Sequence, residues 1–93
     1  MMDIKAAGVI DIIRDKINGK LLYENDKRGF YVWYVGDEKE PEKILTVFFH
    51  SGSGYPYWSV TADGSEHDYV RMCVPHSRGT AEFVAEQILS AWL

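Results

Sequence analysis

The chain is poor in the features that make function easy to read. It has one cysteine, Cys73, so no intrachain disulfide can form. Met1-Met2-Asp3-Ile4-Lys5 does not place a basic segment before an apolar run, so the sequence predicts a protein of the reducing cytosol. No stretch approaches the ~18–20 apolar residues of a membrane span. Basic residues are in the minority: 10 Lys and Arg stand against 14 Asp and Glu, a net charge of −4. That balance disfavours nucleic acid and anionic lipid as partners, because both are held mainly by Lys and Arg. An acidic surface suits solubility, or a basic protein partner.

Catalytic signatures are also missing. The chain contains neither Gly-x-Ser-x-Gly nor His-Glu-x-x-His. Ser51-Gly52-Ser53-Gly54 has the look of a phosphate loop. It lacks the Gly-Lys-Ser/Thr that should follow, and it leads into a strand instead of a helix N-terminus. It reads as a flexible connection.

What is present is an apolar, aromatic-rich chain of 93 residues, 46% hydrophobic and 14% aromatic. That length makes one domain over residues 1–93, burying roughly 60–65% of its unfolded surface without metal or disulfide. Two stretches organise it: Phe30-Tyr31-Val32-Trp33-Tyr34-Val35 and Ile44-Leu45-Thr46-Val47-Phe48-Phe49. Both are short, aromatic and β-branched, and bounded by Gly, Asp or Pro, which predicts strands. Both are apolar at odd and even positions alike, so both are expected to bury side chains on two faces.

Around them the order of elements is legible. Asp3 can cap a helix over residues 3–17, with Ala6, Ile10, Ile13 and Ile17 on one stripe and Asn18-Gly19 as the stop. Gly8 is unfavourable inside that helix, and is expected either to permit close packing on the sheet or to mark a later helix start. Strands are predicted over 20–24, 30–35, 43–50, 57–62 and 69–74. The first two are joined by the polar turn 25–29, and a tight turn is predicted at Asp63-Gly64. In the fourth strand Trp58, Val60 and Ala62 alternate cleanly with Tyr57, Ser59 and Thr61. Thr80 can cap a last helix over 81–92, with Trp92 docking the terminus. The expected fold is α+β: a two-layer sandwich of a five-stranded antiparallel meander with the N- and C-terminal helices on one face. This order resembles a double-stranded-RNA-binding domain. Such domains place a basic run at the start of the last helix, where this chain has Gly79-Thr80-Ala81-Glu82, so that function is not carried over.

Two functional readings follow. In the first, the chain has no catalytic activity and no cofactor or metal. It acts as an inhibitor, adaptor or accessory module that binds a protein partner or a second copy of itself. Its contact surface is expected around Tyr31, Trp33 and Tyr57, rimmed by the acids Asp37, Glu38 and Glu40 of the loop 36–42, since Trp and Tyr favour interfaces. The second reading is an enzyme or metal site built on Cys73, His76 and Arg78. A thiol, a cation and a following helix resemble the phosphate loop of protein tyrosine phosphatases, and Cys-x-x-His is half of a zinc site. The phosphatase signature spaces its Cys and Arg by five residues, against four here, and no second pair of ligands is spaced to complete a metal site.

Overall fold

The computed structural model describes residues 3–52 and 54–93; Met1 and Met2, and Ser53 in the loop read as flexible, lie outside it. The elements run α1 (Ile4–Lys16), β1 (Lys20–Asn25), β2 (Phe30–Gly36), β3 (Pro41–His50), β4 (Tyr57–Gly64), β5 (His67–Pro75) and α2 (Ala81–Leu89). The five strands form one antiparallel sheet in the order β1-β2-β3-β4-β5. The fold is the α+β meander with two terminal helices that the sequence predicts.

Each helix starts where a side chain satisfies an orphan amide. Asp3 Oδ1 accepts from the Ala6 N–H at 2.7 Å, and Thr80 Oγ1 accepts from the Phe83 N–H at 3.2 Å. Ala6, Val9, Ile10 and Ile13 of α1 are buried, as are Val84, Ala85, Ile88 and Leu89 of α2. Gly8 lies where the helices meet: a Cβ added there would sit 3.7 Å from the Ala81 Cβ, an ordinary contact. The last helix is shorter than the sequence suggests. After Leu89 the chain tightens, with the Ala91 and Trp92 amides bonding to Ile88 and Leu89. That turn folds Ala91 and Trp92 into the core. Lys43 fixes the end, its Nζ donating to the Trp92 carbonyl at 3.2 Å and lying 5.2 Å from the Trp92 ring centre.

Strand register decides which aromatic set is covered. Phe49 opposes Trp58, Val47 opposes Val60 and Tyr31, and Leu45 opposes Ala62 and Trp33. All of these belong to the single core that the helix stripes close. Tyr31, Trp33 and Trp58 are therefore among the largest fully buried side chains.

The turn after β4 falls later than predicted. Gly64 continues the strand, and the reversal is made by Ser65 and Glu66, whose amides bond to the carbonyls of Pro41 and Glu42. Gly64 is needed there because a Cβ would lie 2.2 Å from the Glu42 carbonyl oxygen. The close passage of the β3 backbone, rather than a tight two-residue turn, accounts for this glycine.

Candidate functional site

The face of the sheet turned away from the helices is the side of Phe30, Val32 and Tyr34 on β2. Register extends it to Ile44, Thr46, Phe48 and His50 on β3, to Tyr57, Ser59 and Thr61 on β4, and to Tyr69, Arg71 and Cys73 on β5. β1 contributes Lys20, which opposes Tyr34, and Tyr23, which opposes Val32. Between those two the register slips by one residue at Leu22, which puts Leu21 with Trp33 on the helix side.

An aromatic row crosses this open face. Tyr23 meets Phe30 edge-on with ring centres 5.5 Å apart, and Phe30 meets Phe48 edge-on at 5.3 Å. Phe48 stacks on His50 at 4.4 Å, and His50 stacks on Tyr57 at 4.4 Å. His50 Nε2 and Ser59 Oγ are 2.7 Å apart, which orients the imidazole for both stacks. Ring pairs in these geometries add about 0.5–1.5 kcal/mol each beyond area burial. Val32 is only 8% exposed although no helix lies over it; side chains of the open face shield it. Tyr23, Arg28, Phe30 and Phe48 line a shallow depression of about 320 Å³ at one end of the row.

The residues expected to form the contact surface are not brought together. Tyr31 and Trp33 lie on the opposite face, sealed by the chain's own helices at 0% and 2% exposure, so neither can touch a partner. Burial pushes the Tyr31 phenol well above its ordinary range, and its hydrogen bond to Asp26 adds to the shift. Arg14 sits 5.7 Å from the Tyr31 ring centre and pairs with Glu24, closing the core at that edge. Tyr57 does lie on the open face, at the end where β3 finishes. Asp37, Glu38 and Glu40 are exposed in the loop before β3 begins, so about 30 Å of strand separates them from Tyr57. They do not rim an aromatic surface. Asp37 instead orders its own turn, accepting from the Lys39 amide at 2.9 Å.

Cys73, His76 and Arg78 are divided by the sheet. Cys73 is exposed on the open face opposite Ser59. His76 is 4% exposed on the helix side, where its Nδ1 accepts the Trp58 indole N–H at 3.1 Å. Indole is only a donor, so the ring proton of neutral His76 is on Nε2, which faces both Asp3 carboxylate oxygens at 3.3 Å. Lys5 Nζ donates to the carbonyls of His76 and Gly79 at 2.6 and 2.8 Å. These bonds make His76 a clasp joining the start of α1, the start of β4 and the loop into α2. Both of its nitrogens are engaged, and Arg78 is exposed beyond it. Among the described residues no group of three or more His, Cys, Asp and Glu could hold a metal ion, and no helix is long and apolar enough to cross a membrane.

Sequence reasoning missed Tyr23, Phe30, Phe48 and His50 as surface residues. The available signal was the clean alternation of β4, which places Tyr57, Ser59 and Thr61 on the wet side and fixes their neighbours once strands are paired. No protein-family model, curated protein or solved structure matches the chain.

Proposed function

We propose that this chain is a small, non-catalytic interaction module of the inhibitor, adaptor or accessory kind, and that it binds protein through the open face of its sheet. The supporting observation is the uncovered aromatic row Tyr23–Phe30–Phe48–His50–Tyr57. A two-layer fold needs one apolar sheet face, and the helices already cover that one. A second face built of contiguous rings adds nothing to that core and is costly to leave in water. Aromatic surface with polar groups at its edges is the composition of protein interfaces.

Site-specific photo-crosslinking tests this. A photoreactive residue at Thr61, on the open face, is compared with one at Asp15, exposed on α1. In the native cell the Thr61 position is expected to capture polypeptide and the Asp15 position is not. Equal capture from both positions, or none from Thr61, overturns the assignment of this surface.

A further inference from the structure

Which partner fits the open face can be read from where its charges stand. Among its paired strand residues Lys20 and Arg71 stand against Asp63, with Glu42 and Asp68 at the register breaks beside them, so the sum stays within one charge of zero on a chain of net charge −4. A balanced face is not matched to a polyanion or to a strongly basic partner. The two signs are also placed asymmetrically. One row across the sheet reads Tyr23, Val32, Thr46, Thr61, Arg71, from β1 to β5. The next row along the strands reads Lys20, Tyr34, Ile44, Asp63, from β1 to β4.

A two-fold axis parallel to β3 preserves each row and exchanges β1 with β5 and β2 with β4. Under that operation Arg71 of one copy faces the Tyr23 ring of the other, and Lys20 comes beside Asp63. Val32 meets Thr61, Tyr34 meets Asp63, and Thr46 meets its own equivalent. Stacked sheets lie about 10 Å apart, within reach of Lys, Arg and Tyr side chains meeting from both sides. The cation falls beside an aromatic ring and the ammonium beside a carboxylate, which is self-complementary in the sense an isologous interface requires.

We infer that a second copy of this chain covers the open face, about a two-fold axis parallel to β3, in a four-layer helix–sheet–sheet–helix dimer. The inference rests on the open face being a contact surface, and it names the occupant. Five strands at about 4.8 Å spacing and some seven residues at about 3.3 Å give a plan area of roughly 550 Å² per copy. The total of about 1,100 Å² lies near the lower end of specific interfaces, which fits a dimer that exchanges with monomer. Edge-to-edge pairing is less favoured by the same structure. The register break at Leu22 interrupts β1, while β5 carries Asp68 and Arg71 and ends at Pro75, features that blunt strand addition.

Sedimentation over a concentration series is the test. The wild type is expected to move from 10.7 kDa toward twice that mass as concentration rises to about 1 mM. Thr46→Lys sets two like charges on the axis and is expected to weaken dimerisation at least about 100-fold, with far-ultraviolet circular dichroism unchanged; Thr46→Val leaves it intact. Lys20→Asp weakens it, and adding Asp63→Lys restores it. Within one chain β1 and β4 stand about 14 Å apart, so that rescue must act between copies. A wild type that stays at 10.7 kDa throughout overturns the second copy as occupant. The surface itself then stands if the Thr61 crosslinker still captures a different polypeptide, and falls if it captures none. A dimer that Thr46→Lys leaves unaltered overturns the face-to-face arrangement.

Discussion

Replacing Asp3 tests how the N-terminal helix is tied to the rest of the molecule. Asp3 accepts from the Ala6 amide at 2.7 Å and lies 3.3 Å from His76 Nε2. Loss of a capping side chain costs about 1 kcal/mol, within a range of roughly 0.5–2. The His76 contact is longer, and the Asp3 side chain is 59% exposed, so water can stand in for the carboxylate. Its loss adds no more than about 1 kcal/mol. Asp3→Ala is therefore expected to destabilise by about 1–2 kcal/mol, lowering the thermal midpoint by roughly 4–8 °C per kcal/mol in a domain of this size. Asp3→Asn should cost only a few tenths of a kcal/mol, because Asn caps as well as Asp and its amide oxygen can still accept from His76. Urea unfolding followed by tryptophan fluorescence suits the measurement, since Trp58 bonds directly to His76. An Asp3→Ala variant within about 0.3 kcal/mol of wild type refutes the capping account. So does an Asp3→Asn variant as damaged as Asp3→Ala, which would shift the effect from hydrogen bond to charge.

The same residue sets an acid dependence. The Ala6 amide, with His76 and Lys5 adding, holds the Asp3 carboxyl below its ordinary 3.8, against the opposing effect of burial. The unfolded chain therefore takes up this proton more readily than the folded one. Asp3's contribution is complete above about 3.8 and fades as pH falls through the lower folded value. Wild type and Asp3→Asn should converge in stability as the pH drops through that window. Parallel curves would show that Asp3 titrates alike in both states.

Other outcomes follow from single contacts. Gly8→Ala should stabilise by about 0.5–1 kcal/mol, because helix propensity improves and the new methyl meets Ala81 at an ordinary 3.7 Å. A lower urea midpoint would show that the helices cannot accept it. Gly64→Ala should destabilise by more than about 3 kcal/mol, since its Cβ would lie 2.2 Å from the Glu42 carbonyl oxygen; native-like stability would mean that β3 and β4 separate easily. Burial and Asp26 keep the Tyr31 phenol neutral in the fold, so its contribution is complete below the unfolded value near 10 and declines as pH rises above it. Tyr31→Phe should flatten alkaline unfolding in that range, and an unchanged profile would count against a buried phenol. Cys73 is exposed, so it should alkylate in the folded protein and slow as dimer forms; a thiol that reacts only in denaturant contradicts its placement on the open face.

The fold was legible because each element announced itself locally. Asp3 and Thr80 marked helix starts, and the apolar stripe of α1 named its buried side. Where the reading slipped, a distant part of the chain decided the outcome. Gly64 looked like a turn residue but serves a strand, because β3 passes against it. The last helix looked continuous to Trp92, yet after Leu89 the chain tightens into turns bonded three residues back, which bring Trp92 onto Lys43. Neither Glu42 nor Lys43 is near those positions in sequence.

The surface was less legible, for a reason of parity. β2 offers two aromatic sets, Tyr31 and Trp33 or Phe30 and Tyr34, and one residue of register exchanges them. Nothing within β2 breaks the tie. β4 breaks it, because Ser59 and Thr61 cannot be the core side of a strand whose other side is Trp58, Val60 and Ala62. Carried across the ladder, that choice buries Phe49, Val47 and Leu45, and through them Tyr31 and Trp33. The open face then inherits Phe48 and Phe30 by elimination. An amphipathic strand thus orients two strands that are not themselves amphipathic. The rings stranded on the far side are the part of the sequence that the monomer's own core does not explain. They are the reason to look for a second surface that does.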